Sequence, residues 1–268
     1  MSLNPALLAS AVGLCLIVAP HAKAAGIPFT FDSSLANPSL GGGSFTADDI
    51  TTVNYLHSIV MGDGSFAEHL IDPITGFSLG GAPVSVPGLN SSFGLYLSVD
   101  ATGTIVAGKT TYSMLDISLM ADVGNNDGTP SATLGTASAP GTLAFSNPTG
   151  VADDIVLGSG SLLSASMSLD AAGTRHATYL DTFDAAPDES GFYVSPTPFT
   201  HLQIEELLTT LPSAFTQSAP DSTGRSEIAV NGGGGEAIFA VPEPSTWSMI
   251  AVGGVALLGI MHRNRRTA

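Results

Sequence analysis

Histidines and carboxylates are the side chains of this sequence that could bind a metal ion or transfer protons. The closest candidate cluster consists of Glu68, His69 and Asp72. In a β-strand, adjacent residues face opposite sides, so Glu68 and His69 would point away from each other. We therefore expect the histidines of the central region to be core or solvated residues rather than metal ligands. They are His57, His69, His176 and His201.

Four pairs of adjacent acids raise the question of a glycosidase, which needs two carboxylates on either side of a sugar. Neighbouring residues of one strand do not form such a pair, because their side chains diverge. We favour the interpretation that these acids lie on solvated faces. An enzyme that uses carboxylates distant in the sequence is the alternative left open. The pairs are Asp48 with Asp49, Asp153 with Asp154, Asp188 with Glu189 and Glu205 with Glu206.

A loop rich in oxygen donors, residues 122–128, is the candidate cation site. Calcium accepts carboxylate and amide oxygens in flexible geometry, which makes Asp122, Asn125 and Asp127 weak calcium candidates. The spacing departs from an EF-hand, which has glycine at the sixth position of the loop when the opening Asp is counted as the first. An ordinary Asn/Asp/Gly turn is the favoured interpretation. We expect no cofactor, with calcium as the alternative.

Composition and the lack of known motifs exclude several classes of function. The 268 residues include 23 acids and only 7 Lys or Arg, a formal net charge of −16. Binding to phosphates needs clustered cations, so a nucleic-acid partner is excluded. The sequence contains no H-E-x-x-H and no G-x-G-x-x-G pattern. It therefore predicts a protein that is not an enzyme and has no catalytic residues.

Alternating apolar and polar residues predict the β-strands that would position these side chains. Residues 93–99 alternate in this way, as expected for a strand with one buried face. Residues 115–119 and 163–169 show the same period, and turn residues at 62–64 and 73–76 separate such segments. Many short strands predict an all-β fold, a single β-sandwich or jelly-roll-like domain.

Three local predictions refine this β-rich domain. Residues 101–103 are expected to form a hairpin turn, and residues 202–210 fit a helix and a strand equally well. Four glycines at 232–235 separate two apolar segments, which predicts a closing hairpin over 228–240. The second strand of this hairpin would lead directly into the C-terminal segment.

Residues 1–24 have the pattern of a secretory signal peptide. The apolar run at 6–19 is 14 residues long and precedes the small residues Ala22, Ala24 and Ala25. An apolar core of this length before a small-x-small site is typical of signal peptides. We expect cleavage before Ala25, and an uncleaved membrane anchor is the alternative.

An apolar segment near the C-terminus is followed by a cluster of arginines. Residues 247–261 would form a helix about 22 Å long, short for a hydrocarbon core of about 30 Å. A tryptophan at one edge and positive charges at the other suit the two membrane interfaces, with the arginines in the cytoplasm. The pattern predicts a short transmembrane helix with the preceding domain outside. The membrane-stop arginines are Arg263, Arg265 and Arg266.

Pro242, Glu243 and Pro244 precede this apolar segment. Two prolines keep the backbone extended and outside helices and sheet ladders, so the segment stays accessible to a processing enzyme. Pro-Glu-Pro, a short apolar span and a terminal arginine cluster resemble the PEP-CTERM sorting signal of Gram-negative, exopolysaccharide-making bacteria. The resemblance implies an exosortase as partner, a transient anchor in the inner membrane, and a final location on the cell surface or in the extracellular matrix.

The central domain resembles flocculation-associated PEP-CTERM proteins at residues 41–48 and 93–97. This resemblance carries no active-site residues and implies retention in a floc or biofilm matrix, with extracellular polysaccharide as a candidate partner. The sequence thus predicts a signal peptide (1–24), an acidic β-rich domain (25–240) and a sorting signal (241–268). Its predicted role is structural or adhesive. A secreted carbohydrate-active enzyme and a calcium-dependent glycan-binding module are the alternatives.

Overall fold

The computed structural model describes residues 26–36, 40, 42–107, 109–126, 153–169, 175–185, 192–195, 202–208 and 215–239. Within these ranges the chain forms fourteen strands and one helical turn, α1 (Ser33–Ala36). In chain order the strands are β1 (Phe29–Asp32), β2 (Ser44–Ala47), β3 (Asp49–Val60), β4 (Ser65–Leu79), β5 (Ala82–Val84), β6 (Phe93–Val106), β7 (Lys109–Val123), β8 (Ile155–Leu169), β9 (Arg175–Asp181), β10 (Asp184–Ala185), β11 (Tyr193–Ser195), β12 (Leu202–Leu208), β13 (Phe215–Gln217) and β14 (Ser226–Phe239). The predicted all-β class is confirmed.

The larger sheet closes on itself. Its antiparallel path runs β8–β7–β6–β4–β3–β14–β12–β9, and β9 pairs back onto β8. The closing register places Met167 opposite Ala177 and Ala165 opposite Tyr179. The short strands β5, β10 and β13 attach to β4, β8 and β14. Because the path closes, each of its strands has a hydrogen-bonded neighbour on both sides, and the ring gains an inner face.

A second sheet, β11–β1–β2, packs against the larger one through a cluster of aromatic rings. The ring centroid of Phe31 in β1 lies 4.5 Å from that of Phe192, 6.3 Å from Phe77 in β4 and 5.9 Å from Phe239 in β14. Offset and edge-to-face ring pairs of this kind add to the free energy gained by burial. The two layers agree with the predicted all-β sandwich.

The apolar alternation that predicts two central strands is confirmed in β6 and β7. Its apolar members are buried on the inner face, and the intervening residues face outward. Leu97, for example, is paired with Leu119 across the two strands. The buried residues of the two alternating patterns are Phe93, Leu95, Leu97, Val99, Leu115, Ile117 and Leu119.

The hairpin turn predicted at residues 101–103 is wrong. β6 continues to Val106, and the chain turns at Ala107, whose φ is +50°. The β6–β7 pairing shifts between Thr102 and Gly103, which indicates a bulge. A Cβ atom on Gly103 would lie 2.7 Å from the Phe66 ring. This glycine therefore permits the close approach of a ring rather than a turn.

Two turn predictions fail because strands continue through residues that usually break them, and the predicted burial of Leu163 fails at a register shift. Residues 73–76 lie within β4, where a register shift against β3 absorbs the extra residue. Residues 232–235 lie inside the continuous strand β14, which shifts register against β3 between Asn231 and Gly233. Leu163 is 47% exposed, because the β8–β9 register shifts there. Residues 202–208, which fit a helix and a strand equally well, form strand β12.

Candidate functional site

Most of the site residues predicted from the sequence lie outside the described residues. These are the signal-cleavage region Ala22, Ala24 and Ala25, the sorting motif Pro242, Glu243 and Pro244, the arginines Arg263, Arg265 and Arg266, and the calcium candidate Asp127. The described residues contain no helix that is both long and apolar enough to cross a membrane.

The two described calcium candidates lie at the end of β7. Asp122 accepts the backbone N–H of Asn126 at 3.0 Å, and the Asn126 side chain donates to Asp153 at 3.1 Å. Asn125 has φ +51°, a conformation typical of a tight turn. Across the described ranges, no group of three or more His, Cys, Asp or Glu side chains has metal-binding geometry. Calcium binding here stays a prediction.

The acid pairs occupy separate places in the fold. Asp48 accepts the backbone N–H of Gly80, with its two oxygens at 3.1 and 2.9 Å. Asp154 accepts a hydrogen bond from the Tyr96 hydroxyl. Burial raises the Asp154 pKa, the hydrogen bond from Tyr96 opposes the rise, and the charges of Asp122 and Asp153 add to it. Asp188 and Glu189 lie outside the described residues, and Glu205 and Glu206 lie on β12.

Glu68 and His69 face opposite sides of β4, as the strand alternation predicts. On the outer side, Nδ1 of His69 is 2.7 Å from Oδ1 of Asp100 on β6. This hydrogen bond is the main reason that the pKa of Asp100 lies below its usual value. Asp72 is buried on the inner side of the same strand, opposite Leu97. The three residues therefore do not form one metal site.

His57 is fully buried on β3, where it belongs to a small ionic network. Its Nε2 atom lies 3.4 Å from Oε2 of Glu227 on β14, and Arg225 donates to the other Glu227 oxygen at 2.8 Å. Charged groups that leave water need such partners. This arrangement fixes β14 against β3 and leaves His57 without access to solvent.

The sequence does not predict a cleft on the inner face of the ring, where Glu68 meets two tyrosines. The cleft encloses about 430 Å³, a volume that includes its open mouth. Six strands of the ring, β3, β4, β6, β7, β8 and β14, contribute to its wall. The lining residues are Leu56, Ser58, Val60, Phe66, Glu68, Ile105, Thr110, Tyr112, Met167 and Ile228.

The Glu68 carboxylate is held in this cleft by phenol groups. The Tyr179 hydroxyl donates to Oε1 of Glu68 at 3.4 Å, and the Tyr112 and Tyr179 hydroxyl oxygens are 2.9 Å apart. Burial raises the pKa of Glu68 to about 7, although hydrogen bonds from Tyr112 and Tyr179 oppose the rise. Glu68 is therefore partly ionised at neutral pH and can accept or release a proton there.

Strand register brings these three residues together. Glu68 lies between the inward residues Phe66 and Leu70 of β4, opposite Ala101 of β6. Tyr112 lies opposite Gly103, one place beyond the bulge, and Tyr179 reaches the site from β9 across the ring. A carboxylate at an inward position of an alternating strand is the sequence signal that could have indicated the site.

A second inward carboxylate, Asp181 on β9, lies on the same inner face. Its side chain is fully buried, and neither oxygen has a hydrogen-bond partner among the described residues. Burial raises its pKa to about 7, so the neutral acid predominates below that pH. An uncharged carboxylic acid is much less costly to bury than a carboxylate.

The C-terminal segment begins directly after the last strand. β14 ends at Phe239, and residues 240–266 match the family model of the PEP-CTERM protein-sorting motif. The chain carries a PEP-CTERM sorting motif. No curated protein matches the chain, and no solved structure matches it.

The PEP-CTERM motif establishes the broad class of this protein. It indicates an exported protein of a Gram-negative bacterium that is anchored transiently in the membrane and processed by an exosortase. The exosortase is thus a processing partner, as the sequence predicts. The match covers the predicted Pro242, Glu243 and Pro244 together with the arginine cluster.

Proposed function

We propose that the β-rich domain has a structural or adhesive role in a biofilm or floc matrix and is not an enzyme. The observation that supports this most directly is the composition of the cleft. Glu68 is the only carboxylate among its described lining residues. A glycosidase acting there would need a second carboxylate across the sugar from the first.

The charge of the domain limits which polymers it can contact. Residues 25–240 contain 22 acids against three bases, Lys109, Arg175 and Arg225, a formal charge of −19. Such a surface keeps the domain soluble, repels anionic polymers and attracts divalent cations loosely. Contact with an extracellular polysaccharide would therefore use neutral sugars or bridging cations.

The likeness of residues 41–48 and 93–97 to flocculation-associated PEP-CTERM proteins also supports a structural or adhesive role. These residues include β2 and the start of β6, which belong to the two packed sheets. Both segments contribute buried phenylalanines, Phe45 and Phe93. The likeness therefore concerns the framework of the domain, as expected when the shared role is structural.

Truncation of the sorting motif tests this role in the producing bacterium. Deleting residues 242–268 should move the protein from the envelope and matrix to the free medium, or trap it in the periplasm. Floc or biofilm mass should fall toward that of a strain lacking the gene. An unchanged distribution of protein, or unchanged mass in both strains, would count against the proposal.

Turnover of polysaccharide separates the adhesive role from the enzyme alternative. The exported protein is incubated with the exopolysaccharide of its host, and new reducing ends are measured. We expect none above a heat-denatured control. Turnover abolished by Glu68→Gln or another single acid-to-amide change would overturn the non-enzymatic proposal.

One observation favours the calcium-dependent glycan-binding alternative. Burial is the main reason that the pKa of Asp154 is raised, and the charges of Asp122 and Asp153 add a repulsion that a bound cation would relieve. If this module operates, calcium raises the melting temperature and a chelator lowers it. Asp122→Asn should abolish that response, whereas Asp116→Asn, on the exposed outer face of β7, should preserve it.

A further inference from the structure

The Glu68 cleft combines apolar walls with one half-buried acidic group, and the matrix role makes no use of it. Leu56, Val60, Ile105, Met167 and Ile228 line the cleft together with Phe66 and Tyr112. Glu68 is its only charged lining residue among those described. We propose that this cleft binds a small organic cation, an ammonium group on a short apolar body, with the cation against the Glu68 carboxylate.

The walls suit the apolar body of such a ligand. A pocket lined mainly by aliphatic and aromatic side chains, with few polar groups, is typical of small-molecule sites. The Phe66 and Tyr112 rings meet edge to face, with centroids 5.3 Å apart. Aromatic faces attract ammonium groups, particularly where water is excluded. The hydroxyl groups of Ser58 and Thr110 offer further acceptors at the wall.

The sign of the charge selects a cation over an anion. An anionic ligand would meet Glu68 in a partly desolvated site without a compensating base, at a high free-energy cost. The formal charge of −19 on residues 25–240 attracts cations over a longer range. Both the local and the long-range fields therefore favour an ammonium group.

Proton binding at Glu68 is linked to binding of this ligand. Because the Glu68 pKa is about 7, a cation that prefers the ionised carboxylate binds more tightly above that pH. Among the side chains that the structure describes, the titratable groups that face Glu68 are Tyr112 on β7 and Tyr179 on β9. Asp72 and Asp181 lie elsewhere on the inner face, and His69 faces outward.

Calorimetric titration of the exported protein tests the proposal, with hexylammonium chloride, 1-hexanol and sodium hexanoate as probes. We expect hexylammonium to bind saturably in the millimolar range or tighter, and hexanoate not to bind. Glu68→Gln should weaken hexylammonium binding about tenfold or more while leaving hexanol binding nearly unchanged. It should also remove the increase in affinity between pH 6 and pH 8.

Asp116→Asn is the matched control, because it removes one negative charge from the exposed outer face of β7. It should leave the binding of all three probes nearly unchanged. Absence of saturable hexylammonium binding to the unaltered protein would overturn the proposal. Equal weakening by Glu68→Gln and Asp116→Asn would also overturn it, since the attraction would then be a property of the whole surface.

The methionine methyl groups locate the ligand even if the Glu68 variant folds poorly. Met167 lines the cleft, whereas Met114 is an exposed residue of β7 paired with Thr102. On addition of hexylammonium, the NMR signal of the Met167 methyl should shift with saturation and that of Met114 should not. A shift of Met114 without a shift of Met167 would place the cation elsewhere and contradict the proposal.

Discussion

At the scale of residues, two carboxylates of the inner face, one half-buried and one fully buried, have raised pKa values. Glu68 and Asp181 both have pKa values raised to about 7, and in both cases burial is the main cause. They differ in their partners, because Glu68 accepts phenol hydrogen bonds and Asp181 has none among the described residues. Glu68 is therefore suited to binding a ligand, whereas ionisation of Asp181 at high pH lowers the stability of the fold.

Asp181→Asn should change the pH dependence of stability. The folded pKa of Asp181 is raised from 3.8 to about 7, so stability is full below pH ~4 and decreases as the pH rises through ~7. The variant should lose this decrease and become more resistant to urea than the unaltered protein at pH 8, with a smaller difference at pH 5, where only part of the decrease has occurred. The urea concentrations at the midpoint of unfolding, determined for both proteins at both pH values, measure this difference. A variant that is less resistant at pH 8 would contradict the assignment.

Gly160→Ala should destabilise the domain because β8 approaches the main chain closely there. A Cβ atom at Gly160 would lie 1.6 Å from the carbonyl oxygen of Thr182, and relief of such overlap costs about 1–3 kcal/mol or more. Gly76→Ala is the matched control, because its Cβ would meet no atom within 4 Å. The free energies of unfolding of the two variants provide the comparison. Equal values would show that the approach is not as tight as described.

At the scale of elements, the period of the apolar residues predicts a strand only until a bulge interrupts it. The patterns at 93–99 and 115–119 are regular, and both lie in strands with the predicted face buried. The pattern at 163–169 fails at its first member, because the register shift there turns Leu163 outward. One extra residue reverses the two faces of a strand, and local sequence does not reveal which residue is extra.

Glycine and proline predict turns unreliably in this chain, because such residues also occur inside its strands. Residues 62–64 form the expected turn, with Gly64 at φ +85°. Gly235, by contrast, lies inside β14, where a Cβ would meet the Thr52 hydroxyl at 2.3 Å and the Asn54 side chain at 2.4 Å. That glycine makes room for polar side chains of the neighbouring strand. The reason for its presence is a tertiary contact, which sequence alone does not show.

Phe31→Ala should weaken the attachment of the smaller sheet to the larger one. Phe31 is fully buried and contacts rings from both sheets, including Phe45 and Phe239. Loss of a buried phenylalanine costs about 3–5 kcal/mol. Thr30→Ala on the same strand removes only an exposed hydroxyl contact with Thr46 and should cost about 0.5 kcal/mol or less. Denaturant unfolding measures both, and similar losses would contradict this packing.

At the scale of the whole molecule, the sorting motif and the cleft differ in how far the sequence predicts them. The motif is a linear pattern within residues 240–266, so its parts are recognisable without a fold. The cleft combines residues as distant as Leu56 and Ile228. These two meet because β14 pairs with β3, and Tyr179 reaches Glu68 from β9, which pairs with β8 and closes the ring. Closure is a long-range pairing that no local pattern encodes.

The central claim is that a folded, acidic β domain is exported and then separated from its sorting segment by an exosortase. The most direct test is the intact mass of the protein from the producing bacterium, with and without its exosortase gene. We predict that the exported form lacks the cluster Arg263, Arg265 and Arg266, and that without the exosortase this cluster is retained in a membrane-bound form. Full-length protein in the cytosol with both termini intact, in either strain, would contradict the account.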